Sequence, residues 1–215
     1  MLLLLGLASP GHAEVAHLPV LIVPGIVYKE REFRPMLKAL RESGRKQVEV
    51  VTFDEHFGEG GIASISKQVA EAAKRLKADT NSTQIDVIGF SMGALAARYM
   101  IQRLGGKDDV RRFISISGPH HGTVMAYFGP FFTGVREMQP NSTFLQDLLK
   151  DQNPFGKVRV YAFYTPYDAM VSPSQSAILE HAQVVKSFQV TFHHQMLKDD
   201  EVLSEVVGAL SSRSE

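Results

Sequence analysis

Short apolar segments alternate along this chain with longer amphipathic ones, and the alternation constrains the fold more than any other feature. Segments rich in β-branched and aromatic residues predict strands at 18–23, 47–53, 85–90, 111–116, 157–164 and 184–192. Helical periodicity predicts helices at about 31–43, 63–78, 92–104, 142–150, 174–181 and 199–212. Several strand candidates are apolar on both faces, as strands of a buried parallel sheet are. We therefore expect an α/β fold of about six mainly parallel strands with helices on both faces.

Composition limits both the architecture and the partners. A chain of 215 residues with 44% hydrophobic content has room for one core, so we expect a single domain over 14–215. Lys plus Arg equals Asp plus Glu at 23 each, so no net field attracts nucleic acid or an anionic membrane. The sequence does not indicate an oligomeric state, and a monomer is the default expectation.

The sequence lacks the residues and motifs that several kinds of chemistry need. Without cysteine there are no disulfides, thiolate metal sites or cysteine nucleophiles. No cluster of carboxylates or histidines has metal-ligand spacing, so we expect neither a metal nor a cofactor. Neither a G-x-G-x-x-G nor a G-K-[ST] phosphate loop follows the first strand, which argues against a nucleotide-binding protein.

The first thirteen residues, MLLLLGLASPGHA, resemble the later part of a secretory signal peptide. A leucine-rich stretch is followed by Pro10 and by small residues at Gly11 and Ala13, but no Lys or Arg precedes it. We expect a secreted or periplasmic protein, or a cytoplasmic one if this segment is not a signal. No other stretch approaches the roughly 20 apolar residues that a membrane-spanning helix needs.

The segment Gly89-Phe90-Ser91-Met92-Gly93 lies where an apolar strand ends and a helix of small residues begins. A serine at such a strained strand-to-helix turn projects its hydroxyl clear of the backbone, and flanking glycines avoid collisions with neighbouring chain. The pentapeptide alone is weak evidence for a nucleophilic serine, since chance produces it roughly once in ten such sequences. The predicted strand before it and helix after it strengthen that evidence.

A nucleophilic serine needs a base, and the base needs a carboxylate that orients it. Asp168 follows the fifth predicted strand, and His193 and His194 follow the sixth. In a parallel sheet these strand ends share one edge with Ser91. The chain order of serine, acid and histidine is that of α/β-hydrolases and differs from the chymotrypsin and subtilisin orders.

These segments give the chain a resemblance to small bacterial lipases and esterases of the α/β-hydrolase superfamily. The matching stretches are PVLIVPGI, IDVIGFSMGALAARY, SGPHHGT, REMQPNSTFLQDL, YTPYDAMVSP and HHQMLKDDEV. The resemblance implies Ser91 as nucleophile, Asp168 as acid and one histidine of the pair as base. His194 fits the family register before the final helix slightly better, and His193 is the alternative. His120 and His121 precede the acid in the chain, so we expect them to form a turn.

The oxyanion hole is expected to use the backbone N–H of Met92 and, from the loop after the first strand, that of Ile26. Here the sequence departs from the family, which commonly has His-Gly where this chain has Pro24-Gly25. Proline fixes the backbone but offers neither an N–H nor an imidazole to brace the loop.

Substrate preference depends on the aromatic stretch 124–135. We expect Tyr127, Phe128, Phe131 and Phe132 to form a pocket wall or small lid for acyl groups, with ordinary core packing as the alternative. The surrounding excursion, 122–141, is too short for a large helical lid.

The sequence thus predicts a serine carboxylic-ester hydrolase, a lipase or esterase that degrades small-molecule or lipid esters through an acyl-enzyme. An acyltransferase, thioesterase or amidase with the same triad is an alternative, because fold and triad do not choose the leaving group. A catalytically silent binding protein on the same fold is a third.

Overall fold

One parallel sheet organises the molecule. The computed structural model describes residues 17–54 and 58–212, so the predicted signal segment, 1–13, lies outside the described residues. The strands are β1 Val20–Val23, β2 Val48–Val50, β3 Ile85–Phe90, β4 Val110–Ile116, β5 Arg159–Tyr164 and β6 Val184–Ser187. Their order across the sheet is β2-β1-β3-β4-β5-β6, and every neighbouring pair is parallel. The predicted fold class is confirmed.

Helices cover both faces of this sheet. They are α1 Arg34–Glu42, α2 Ile62–Asp79, α3 Met92–Arg103, α4 Gly106–Asp109, α5 Thr133–Glu137, α6 Thr143–Leu149 and α7 Asp200–Ser211. On one face α2, α3 and α6 pack with strand residues such as Leu21 and Val87. On the other, α1 and α7 pack with residues such as Ile22 and Ile88. Adjacent residues of a strand therefore pack into two separate hydrophobic cores, one on each face of the sheet. This explains why the central strands are apolar throughout.

The structure differs from the predicted elements near the carboxyl ends of the last strands. The predicted strand 184–192 stops at Ser187, which pairs with Tyr164, the last residue of β5. The segment 174–181 holds only a 3-10 helix, Ser174–Ala177, where a longer helix was expected. Beyond β6 the chain turns back over the sheet, which brings His193 against Phe90 at the end of β3. Within the described residues, none of the helices is both long enough and apolar enough to cross a bilayer.

Candidate active site

Ser91 occupies a strained turn between β3 and α3. Its backbone has φ 55° and ψ −127°, a region that residues with side chains rarely adopt. The turn is held because the Ser91 N–H donates to the carbonyl of Ile116 on β4 at 2.9 Å. The flanking glycines are required by packing: a Cβ on Gly89 would lie 2.6 Å from Ala94 Cα, and one on Gly93 would collide with the carbonyl oxygens of Val23 and Pro24. The segment thus has the geometry of a nucleophile elbow.

Asp168 lies in the turn after β5 and is anchored on both of its carboxylate oxygens. Oδ1 accepts hydrogen bonds from the N–H groups of Met170 at 2.9 Å and Val171 at 3.0 Å. Oδ2 accepts from His193 Nδ1 at 2.7 Å. Burial raises the pKa of the Asp168 carboxyl, but the His193 hydrogen bond and charge, with both backbone N–H groups, outweigh burial and lower it. Asp168 is therefore a carboxylate that orients an imidazole.

The structure pairs His193 with Asp168 and revises the prediction that His194 does so. The two histidines begin the 3-10 helix His193–Leu197, where consecutive side chains point about 120° apart, so only one can face the carboxylate. The His193 side chain is buried, whereas His194 is exposed and stacks on Phe192 with ring centroids 6.0 Å apart. Because Nδ1 of His193 donates to Asp168, its Nε2 is left free to accept a proton.

Ser91 and His193 line the same apolar pocket, whose volume is about 510 Å³. Its walls come from the loop after β1, from the excursion after β4 and from the Asp168 loop; they include Ile26, Met125, Ala126, Val135, Met138 and Met170. The polar side chains in its lining are those of Ser91, His193, Tyr28, Thr123 and His194, and the other lining residues are apolar. Such a pocket suits a ligand that is mostly hydrocarbon with one polar reacting group.

The excursion contributes to the pocket, but through residues other than those predicted. Within the 3-10 helix Val124–Phe128, Met125 and Ala126 line the cavity. Tyr127 and Phe128 follow them and turn outward, 54% and 81% exposed. Phe131 is 89% exposed, and Phe132 is half-buried outside the pocket lining. The four predicted aromatic residues are thus outside the lining of this pocket, to which segment 124–135 contributes Met125, Ala126, Gly129 and Val135 instead.

The two expected oxyanion donors belong to two segments that meet at Ser91, the start of α3 and the loop after β1. Met92 is the first residue of α3, and the first N–H groups of a helix have no partner inside it. Ile26 lines the pocket from the loop after β1. A Cβ on Gly25 would lie 2.9 Å from Ser91 Cβ, so this loop rests directly against the elbow. That backbone contact, together with the close approach of Gly93 to the carbonyls of Val23 and Pro24, braces the loop without a histidine.

Thr123 is a site residue that the sequence analysis missed. Its hydroxyl donates to the carbonyl of Met170 at 2.9 Å and accepts from the N–H of Ser172 at 3.0 Å. It therefore ties the excursion after β4 to the Asp168 loop. The signal was present in the family-like segment SGPHHGT, which ends at this threonine. In the parts of the chain that the structure describes, no group of three or more carboxylates and histidines is arranged to hold a metal.

Comparison with known families identifies the chain. The sequence pattern of the palmitoyl protein thioesterase family matches residues 19–152, more than half of the chain. The chain belongs to this family. The matched region contains Ser91 and both expected oxyanion donors but ends before Asp168 and His193, so those two partners depend on the geometry described above. A comparison with curated proteins gives no match.

Solved structures of lipases share the fold of this thioesterase-family protein. Aspergillus fumigatus lipase B is 22% identical with a TM-score of 0.78, covering 92% of this chain and 53% of its own. The propeptide form of Bacillus licheniformis lipase BlEst2 is 14% identical with a TM-score of 0.78, covering 95% of this chain and 52% of its own. This chain therefore spans about half the length of those two proteins.

A protein of Listeria innocua, the lin2722 product, is similar over nearly its whole length, with 14% identity, a TM-score of 0.70, and coverage of 93% of this chain and 96% of its own. The α/β-hydrolase fold and the resemblance to lipases and esterases are thus confirmed.

Proposed function

We propose that this protein is a serine hydrolase that cleaves acyl esters of lipids through an acyl-enzyme, with Ser91 as nucleophile, His193 as base and Asp168 as orienting acid. One observation carries the proposal: the 2.7 Å hydrogen bond from His193 Nδ1 to the Asp168 carboxylate, made by an imidazole that shares an apolar pocket with Ser91. A carboxylate, an imidazole with a free Nε2 and a hydroxyl at an elbow are the parts that acyl transfer needs.

The proposed reaction has two steps, acylation of Ser91 and hydrolysis of the acyl-enzyme. His193 Nε2 takes the Ser91 hydroxyl proton as Oγ attacks the carbonyl carbon, and the carbonyl oxygen becomes an oxyanion between the N–H groups of Met92 and Ile26. The bond to the alcohol breaks, and the alcohol leaves with the proton from His193. Water then attacks the acyl-enzyme with His193 as base, which releases the carboxylic acid and restores Ser91.

A lipid substrate is favoured by the surface around the pocket as well as by its interior. Tyr127, Phe128, Phe131, Met170 and Phe192 are between 54% and 89% exposed and belong to the segments that form the pocket. Large apolar side chains that are this exposed on pocket-forming segments are candidates for contact with an apolar ligand or surface. An acyl chain partly outside the cavity would find apolar surface there.

A thioester is the second candidate substrate, because the chain belongs to a family named for palmitoyl protein thioesterase activity. The chemistry is the same except that a thiol leaves. Nothing in the triad distinguishes oxygen from sulfur as the leaving atom, so the preference is a matter of measured rates.

The test is hydrolysis of p-nitrophenyl esters of increasing acyl length, beside acyl thioesters of the same chains, by wild type and Ser91→Ala. We expect turnover that rises with acyl length and is abolished in the variant, and covalent labelling of Ser91 by a fluorophosphonate. Labelling without hydrolysis, but with acyl transfer to an added alcohol or amine, would favour an acyltransferase. Absence of both labelling and turnover in the wild type would favour a silent binding protein and refute the proposal.

A further inference from the structure

Phe90, the residue before Ser91, packs against the His193 imidazole. Its side chain is completely buried at the end of β3. The centroids of the Phe90 and His193 rings are 4.7 Å apart, with the planes inclined by 38°. Phe90 thus contacts the imidazole from the strand, whereas Asp168 contacts it from the loop after β5.

The Phe90 ring is itself held by two aromatic neighbours. Tyr28 meets it edge-to-face at 5.0 Å between centroids, and Phe33 meets it edge-to-face at 6.3 Å. Such edge-to-face pairs are favourable beyond the area that they bury. The ring that supports His193 is therefore a fixed surface and not a mobile side chain.

A second support is needed because the hydrogen bond to Asp168 fixes only one atom of the imidazole. Rotation of the ring about the line from Nδ1 to Oδ2 would keep that bond and still change the position of Nε2. His193 also begins a five-residue 3-10 helix that follows an irregular segment, so its backbone gives limited control of the ring plane. Contact with a flat buried ring removes this remaining freedom.

We propose that Phe90 is a positioning residue for the reaction, fixing the plane of the His193 imidazole so that Nε2 faces Ser91 Oγ. This inference rests on the proposed function. Phe90 does not touch the reacting atoms and acts through His193.

The test is Phe90→Leu, which keeps most of the apolar volume and removes the ring, with Phe113→Leu as the matched control. Phe113 is equally buried on the neighbouring strand β4, and its ring packs against Phe155 in the other core, away from Phe90 and its aromatic neighbours. Both variants are expected to lower the melting temperature. Only Phe90→Leu should lower kcat, about tenfold, with KM within about twofold of wild type, because the orientation of the base is lost and not substrate binding.

A further readout separates positioning from core stability. The second-order rate of fluorophosphonate labelling at Ser91 should fall with kcat in Phe90→Leu and stay at the wild-type value in the control variant. If Phe90→Leu does not fold, Phe90→Met provides the same comparison with an unbranched side chain. Equal kcat in Phe90→Leu and wild type, or equal losses in both leucine variants, would overturn the inference. A wild type that neither reacts with the probe nor turns over would instead refute the proposed function.

Discussion

Two serine–histidine neighbourhoods lie side by side at the carboxyl end of the sheet. Ser115 Oγ and His120 Nε2 are 2.7 Å apart, and both side chains are buried. Ser115 pairs in register with Gly89, so this contact lies next to the strand that carries Ser91. Ser91 and His193, by contrast, line a pocket. By distance alone the enclosed pair resembles a nucleophile and its base.

The difference between the two lies in the third partner and in access. His120 Nδ1 has no hydrogen-bond partner in the described residues. Burial lowers the pKa of His120 well below its ordinary value, and the charges of Arg98 and His121 lower it further. His193 instead donates to an anchored carboxylate. The comparison teaches that a short serine–histidine contact becomes a candidate for catalysis only when a carboxylate stabilises the imidazolium and a cavity admits substrate.

The largest expected effect separates the two serines. Ser91→Ala should lower kcat at least thousandfold, since loss of the nucleophile in triad enzymes leaves only the contribution of the oxyanion hole and binding. Ser115→Ala should leave kcat within about threefold of wild type. Ester turnover and fluorophosphonate labelling of both variants measure this. A comparable loss in both would mean that Ser115 belongs to the reaction and that the comparison is wrong.

The next effect separates the adjacent histidines. His193→Ala should lower kcat about thousandfold, because it removes the base that Asp168 orients. His194→Ala should change kcat less than tenfold, since its side chain is exposed and stacked on Phe192. Initial rates with one ester are sufficient for the comparison. The opposite ranking would restore the prediction made from sequence.

These histidines show what the sequence could and could not predict. The placement of Ser91 and Asp168 at one edge of the sheet follows from strand ends, because parallel strands bring their carboxyl ends together wherever the exact boundaries fall. The choice between His193 and His194 depends on the direction of one side chain in a 3-10 helix, which apolar periodicity does not encode. The same limit applies to the excursion after β4, where the order of inward and outward residues placed Met125 and Ala126 in the pocket and the aromatics outside.

A smaller effect should appear in stability instead of rate. The folded protein keeps His120 neutral below the ordinary histidine pKa of about 6.5, where the unfolded chain takes up a proton. Its contribution to the free energy of unfolding is therefore lost as pH falls below about 6.5, by up to about 1.4 kcal/mol per pH unit. The lowered pKa of Asp168 acts in a separate window, because its stabilisation is lost only as pH falls below about 4.

His120→Gln keeps a polar side chain near Ser115 but does not titrate. Urea unfolding at pH 7, 6 and 5 should show a flatter decline for this variant than for wild type, with the other histidines common to both. Identical slopes would show that His120 is protonated in the folded protein. The hydrogen bond between Ser115 and a neutral His120, which distinguishes this pair from Ser91 and His193, would then be absent.

The smallest expected effect concerns the bond between Ser115 and His120 itself. Both groups are neutral and enclosed, so the hydrogen bond contributes to stability only, and its loss leaves the buried Nε2 of His120 without its partner. Ser115→Ala should therefore lower the free energy of unfolding by about 1 kcal/mol at pH 7. The matched comparison is Ser115→Ala in a His120→Leu background, which has no polar side chain to bond Ser115, measured by urea unfolding. If the hydrogen bond couples the two residues, Ser115→Ala should lower the free energy of unfolding by different amounts in the two backgrounds. Equal losses would mean that the short contact between Ser115 and His120 adds nothing to stability.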